Sequence, residues 1–149
     1  MNIFYIDPSP IKAARMMSQK HVIKMILESG QLLSSAHYLR DQRSDLYRPA
    51  FLNHPCTIWT AENSANYTWL YQHFKELATI YYERSGRQHK TWSDLGERLA
   101  HLPIHIPDAT EMTPTPLVMP KEYWVEGDSI GSYRNYYEAE KLFTDADLS

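Results

Sequence analysis

The stretch from residue 18 to 39 constrains the fold most. Its apolar positions recur at three- and four-residue steps, which predicts one long helix. Projected at ~100° per residue, Val22, Ile23, Met25, Ile26, Leu27, Leu32, Leu33 and Ala36 cover well over half of its circumference. A helix apolar on so many sides has to be enclosed by neighbours, so it must be central to the fold. The remaining arc of about 100° gathers Lys20, His21, Lys24, Glu28, Gln31 and Ser35. That stripe must face a cleft or the solvent.

Other elements follow from punctuation. Residues 1–6 are short and β-prone, and Asp7-Pro8-Ser9-Pro10 stops them. Ser9 can cap a helix whose first residue is Pro10, where the missing N–H costs nothing, giving a short helix over about 11–17. Residues 41–53 are polar and contain Pro49, which reads as a loop, and Asn53-His54-Pro55 reads as a turn before an aromatic helix. Trp69, Leu70, His73, Phe74, Leu77, Ala78 and Tyr81 define that helix over about 62–85, ended by Gly86. Thr91-Trp92-Ser93-Asp94 has the form of a capping box and opens a helix to about residue 102. Five of the nine prolines fall in 103–120, too dense for any regular element. This excursion leads to a last helix at about 129–142. The expectation is an all-α, single compact helical domain over residues 1–149, with the proline-rich excursion at 103–120 and a possible strand at the start.

At 149 residues with 43% hydrophobic content, the chain suits one domain with a sizeable core. No apolar run approaches the ~18–20 residues of a membrane span, and no signal segment opens the chain, so a cytoplasmic protein without membrane contact is expected. Cys56 is the one cysteine, which excludes an internal disulfide and a thiolate zinc site. No His-x3-His or comparable pair appears, so neither a metal nor another cofactor is expected. The net charge of −3 speaks against a general DNA-coating protein. It is unevenly spread: residues 1–100 carry 12 Lys and Arg against 9 Asp and Glu, and residues 101–149 carry 3 against 9.

The polar stripe can carry chemistry. Glu28 lies four residues after Lys24 and seven after His21, so acid, amine and imidazole share one face, with Lys20 and Gln31 beside them. An ordinary solvated stripe with a Lys24–Glu28 ion pair accounts for the same pattern. Cys56 could be a nucleophile near His54, or a packed thiol. In the last helix Tyr133-Arg134-Asn135-Tyr136-Tyr137 interleaves aromatics with polar groups that stack bases and bond their edges, or packs a terminal helix on the core.

Gln19-Lys20-His21 followed by Glu28, Asn53-His54-Pro55 before the aromatic helix, and Tyr-Arg-Asn-Tyr-Tyr near the C-terminus together resemble the pyrimidine-dimer DNA glycosylase (endonuclease V-like) family. Lys20 to Glu28 and Met119-Pro120-Lys121-Glu122-Tyr123 look closest to its phage-encoded branch. The resemblance implies a helical enzyme whose chain-terminal amine attacks C1′ of a damaged nucleotide, forming a Schiff base as the base leaves. A helix-borne glutamate, here Glu28, manages protons. An α-amine ordinarily titrates at ~7.7–8.0, so a useful fraction is nucleophilic near neutrality. DNA is the implied partner, and an extruded base needs pocket aromatics, for which Trp59, Trp69, Tyr136 and Tyr137 are candidates.

Three features depart from the family pattern. Asn2 is bulkier than the small residue that follows the family's initiator methionine, which leaves removal of Met1 open, so Met1 or Asn2 presents the amine, or Lys24 replaces it. The arginines flanking the family's glutamate fall on Leu27 and Gln31, which shifts phosphate gripping to Lys20, Lys24, Arg15 or Arg134. The negative net charge is unlike an enzyme that slides on duplex DNA. Two further classes therefore stay open: a transferase acting on a hypermodified base, and a noncatalytic phage accessory protein binding nucleic acid or a host factor. Convergence of Glu28, Lys24 and the N-terminus on one site discriminates chemistry from binding alone.

Overall fold

A computed structural model describes residues 1–142 and contains, in order, α1 (Pro10–Arg15), α2 (Gln19–Asp41), α3 (Pro55–Glu62), α4 (Ser64–Ser85), α5 (Lys90–Leu99), a 3₁₀ turn (Lys121–Tyr123) and α6 (Ser129–Tyr136), which continues as a π-helix (Tyr137–Leu142). No strand occurs among the described residues, which hold only an isolated bridge between Val125 and Asp128. The acidic C-terminal third is described except for residues 143–149, which lie outside the described residues.

Helix α2 is the hub. It packs against α3, α4 and α5, while α1 lies on α4. Gly30 makes room for α5 on this helix: a Cβ there would stand 2.6 Å from Thr91 Cγ2. Val22, Met25, Ile26, Leu32, Leu33 and Ala36 are buried as the periodicity requires. Ile23 and Leu27 are not; each is 42% exposed. They adjoin Lys20 and Lys24 on the helical projection, so the open face of α2 is wider than its polar arc.

The first six residues are buried or half-buried but form no strand. Ile3, Phe4 and Ile6 are core residues, and no partner strand runs beside them. An irregular segment inside a core needs its backbone groups satisfied from elsewhere. Arg134 of α6 donates to Ile6 O (2.7 Å) and to Asp7 Oδ1 (3.0 Å). The Trp69 indole donates to Pro8 O (2.9 Å), and His73 Nδ1 lies 3.0 Å from Pro10 O. Ser9 caps α1 through Lys12 N, with Pro10 at its first position, as expected.

One helix is unexpected, and one helix start differs from expectation. Asn63 breaks the aromatic stretch, so α3 is a separate helix and α4 begins at Ser64, capped by the Asn63 side chain. Helix α5 is capped by His89, whose Nδ1 accepts Thr91 N–H (3.1 Å); Thr91 itself is buried inside the helix and forms no capping box. Gly86 does end α4, with φ 74°. The proline-rich excursion is ordered by side chains of the helical body. Asp41 accepts from Ile104 N and His105 N, Ser64 bonds Asp108 and Ala109, and Asn66 pairs with Thr113.

Two buried histidines make this core sensitive to acid. His37 Nε2 lies 2.9 Å from the Tyr67 hydroxyl, which itself donates to Leu99 O, so His37 is the donor of that pair. Burial, aided by Arg43, pushes His37 down from 6.5 to about 4. Burial does the same to His73, against its bond to Pro10 O. Between those two values the unfolded chain binds more protons than the folded one, so stability falls as pH falls. Thermal melts followed by circular dichroism should show Tm decreasing from pH 6.5 to 4, with a shallower decrease in His73→Gln. Equal Tm values at pH 7 and 4.5 would contradict this.

Candidate active site

The coiled N-terminal segment ends against the polar arc of α2. The Met1 amine lies 3.6 Å from Glu28 Oε1, and Lys24 Nζ lies 3.9 Å from Glu28 Oε2. The Glu28 side chain is 16% exposed and that of Lys24 67%, so the carboxylate sits at the mouth of the site with one cation beneath and one outside. The discriminating convergence of Glu28, Lys24 and the N-terminus is therefore present.

Asn2 holds this end of the chain. Its Oδ1 accepts Phe4 N–H (2.9 Å) and its Nδ2 donates to Val118 O (3.0 Å). Between these bonds the backbone turns through Phe4 at φ 49°, and Ile6 N donates to Phe4 O (2.8 Å). The left-handed region is costly for a bulky residue and persists where packing over-determines it. Here the Phe4 ring is enclosed by His21, Tyr136 and Tyr137 at centroid distances of 5.6, 6.5 and 5.5 Å.

His54 closes another side. As the N-cap of α3 its Nδ1 accepts Cys56 N–H (3.0 Å), which places the neutral ring's proton on Nε2. Its pKa is lowered from 6.5 mainly by burial, further by the N-terminal amine, and Glu28 opposes the shift. Both charges of the pair thus act on His54. Cys56 lies within the same field but is fully buried, and burial pushes its thiol up to about 12. A thiol so held is a packed group with no accessible thiolate.

His21 stands seven residues from Glu28 in a second cluster. Its Nδ1 faces Ser18 Oγ at 3.0 Å and the Tyr137 hydroxyl at 3.3 Å, and that hydroxyl accepts Ser18 N–H (2.6 Å). The C-terminal aromatics therefore cap the start of α2. Tyr136 packs on Tyr123, and Asn135 Nδ2 is 3.4 Å from Tyr123 O, beside a hollow lined by Glu122 and Glu138. Trp59 and Trp69 lie deeper, 3% and 5% exposed, with their indole N–H groups donated to Thr113 O and Pro8 O. Trp69 supports the N-terminal segment, packing on Tyr5 at 5.2 Å, and Trp59 packs behind it on Trp69; no contact joins either ring to Glu28 among the described residues. Arg134 is engaged with Ile6 and Asp7, and Arg15 with Glu76 and Glu83. The cations left open on the Glu28 face are Lys20 and Lys24, flanked by half-buried Gln31. Among the described residues no group of three His, Cys, Asp or Glu side chains is arranged to hold a metal ion.

Val118 and Phe4 escaped the sequence reading. Val118 contributes only a carbonyl, for which no side-chain pattern exists, and Phe4 reads as an ordinary core aromatic.

A family model described as pyrimidine dimer DNA glycosylase matches residues 1–94. The chain belongs to this family. The matched region runs from the N-terminal amine through α4 into α5 and so contains Glu28, Lys24, His54 and their supporting helices, while the C-terminal aromatic helix lies beyond it. Comparisons with curated proteins and with solved structures gave no match. A DNA glycosylase family implies DNA as the substrate. No described helix is long and apolar enough to cross a membrane.

The buried thiol gives a direct check on this geometry. The folded protein should react with a disulfide reagent at pH 8 only after unfolding in urea, because Cys56 is enclosed and held as a thiol. Rapid labelling of the folded protein would contradict the assignment of Cys56 as a packing residue.

Proposed function

We propose that this protein is a DNA glycosylase that removes a damaged pyrimidine by amine catalysis, with the N-terminal amine as nucleophile and Glu28 as its proton-handling partner. The observation that supports it most is the 3.6 Å approach of the Met1 amine to Glu28 in a chain of this family. Retention of Met1 puts the nucleophile at the carboxylate, with Asn2 as the anchor behind it. The lone pair of the neutral amine attacks C1′, a C1′–N bond forms, and the glycosidic bond breaks. The pyrimidine leaves with that electron pair and takes up a proton from water. Glu28 accepts the proton released by the amine and returns it to the sugar ring oxygen, whose bond to C1′ opens as the imine forms.

The other residues serve binding. Lys20 and Lys24 are placed to meet phosphates, replacing the arginines whose positions are taken by Leu27 and Gln31. His54, neutral and with its proton on Nε2, is positioned as a hydrogen-bond donor near the reacting sugar. His21 and Tyr137 secure the wall of the site. The convergence of amine, carboxylate and Lys24 favours this chemistry over a binding-only role, which requires no such juxtaposition.

The test is Glu28→Gln. This nearly isosteric change removes the proton acceptor while leaving a hydrogen-bonding group on α2. Excision of a cyclobutane pyrimidine dimer from duplex DNA should fall by about 10²- to 10⁴-fold with an unchanged circular dichroism spectrum. Full activity in this variant would overturn the assignment.

A further inference from the structure

The loop between α2 and α3 presents one aromatic ring to solvent. Phe51 is 61% exposed, and its φ is 53°. A bulky side chain in the left-handed region carries a conformational cost that glycine or asparagine at this turn would avoid. The ring is left mostly in solvent, so little burial offsets that cost. The backbone around it is nonetheless firmly held. Ala50 N donates to Ser35 Oγ (3.2 Å), Ser35 Oγ faces Ala50 O at 3.1 Å, and His54 N donates to Phe51 O (3.0 Å).

Its location connects it to the site. Ser35 lies on the same arc of α2 as Lys20, Lys24, Glu28 and Gln31, and stands ~10 Å along the axis from Glu28. Three residues beyond Phe51 is His54, on which the Met1 amine and Glu28 both act. The helices on either side also expose apolar groups, Leu27 at 42% on α2 and Ile58 at 52% on α3. Exposed cations border it as well. Arg48, three residues before Phe51, is exposed and has no ion pair among the described residues, and Lys24 extends outward from the arc of α2 that carries Ser35.

A rigid apolar ring bordered by cations complements a duplex, whose base faces are apolar and whose edges are phosphates. Extruding a nucleotide also leaves a gap in the base stack, which an inserted apolar side chain can occupy. We propose that Phe51 inserts into the DNA stack beside the extruded nucleotide and holds the duplex open while the sugar meets the amine. The inference rests on the glycosylase reading and names the residue that performs the opening. The strained backbone is the cost of presenting the ring, consistent with the tendency of such outliers to sit at functional positions.

The experiment uses a short duplex carrying a tetrahydrofuran abasic analogue, which cannot react with an amine, with 2-aminopurine as the neighbouring base. Phe51→Ala should raise Kd by about 5- to 150-fold, the effect of losing one base-stacking side chain. It should also abolish the change in 2-aminopurine fluorescence produced by the unsubstituted protein, and Phe51→Trp should restore both. Phe51→Gly should weaken binding in the same way while Tm does not fall, because the strain is relieved. Equal binding and an equal fluorescence response in Phe51→Ala would overturn the proposal, as would absence of duplex binding by the unsubstituted protein or a Tm lowered in Phe51→Gly. Phe51-dependent opening of the duplex without amine chemistry on a true abasic site would uphold the stacking role and refute the proposed mechanism instead.

Discussion

The structure turns on the burial of a chain end that belongs to no helix or sheet. Ile3, Phe4 and Ile6 lie in the core of a helical protein, where unpaired backbone groups are expensive. Asn2, Arg134, Trp69 and His73 provide partners for this stretch, reaching it from its own first turn, from α6 and from α4. These bonds determine where the N-terminal amine ends. They also explain why the C-terminal aromatic helix, far away in sequence, belongs to the same structural unit: it clamps the segment through Arg134 and walls it with Tyr136 and Tyr137.

From that constraint the electrostatics of the candidate site follow. A carboxylate on a central helix lies between the chain's own amine and a lysine one turn before it. The proposed chemistry needs such a pair because a nucleophilic amine must lose a proton and the departing sugar oxygen must gain one. The arrangement also accommodates a protein of net negative charge. DNA contact requires cations on the contacting face, and the open face of α2 supplies Lys20 and Lys24 while the acidic residues concentrate toward the C-terminus.

Periodicity made α2 and its polar arc legible, and the pairing of Lys24 with Glu28 followed from their spacing. The caps at Ser9 and Gly86 were equally readable, since each is a local event. Helix α3 escaped assignment because its eight residues lie between a proline turn and the longer aromatic stretch, and the extended backbone of Asn63 separates it from α4. Histidine caps at His54 and His89 went unseen because a histidine ahead of a helix is a weak signal beside Ser, Thr, Asp or Asn. Leu27 and Ile23 were assigned to the core from hydrophobicity alone, but exposure on α2 is decided by which neighbours arrive, and the described residues cover that edge only in part. Trp59 and Trp69 illustrate the converse: their aromatic character fits a base pocket, while their indole N–H groups are committed to backbone carbonyls inside the fold. The approach of Met1 to Glu28 was legible only through family resemblance, because no spacing rule relates a chain end to a helix face.

The most direct test of the account is borohydride trapping on a duplex with a natural abasic site, followed by peptide mapping of the adduct. The account predicts a covalent protein–DNA species with the modification on the α-amine of Met1. Modification at Lys24 alone, or no adduct from folded protein, would contradict it.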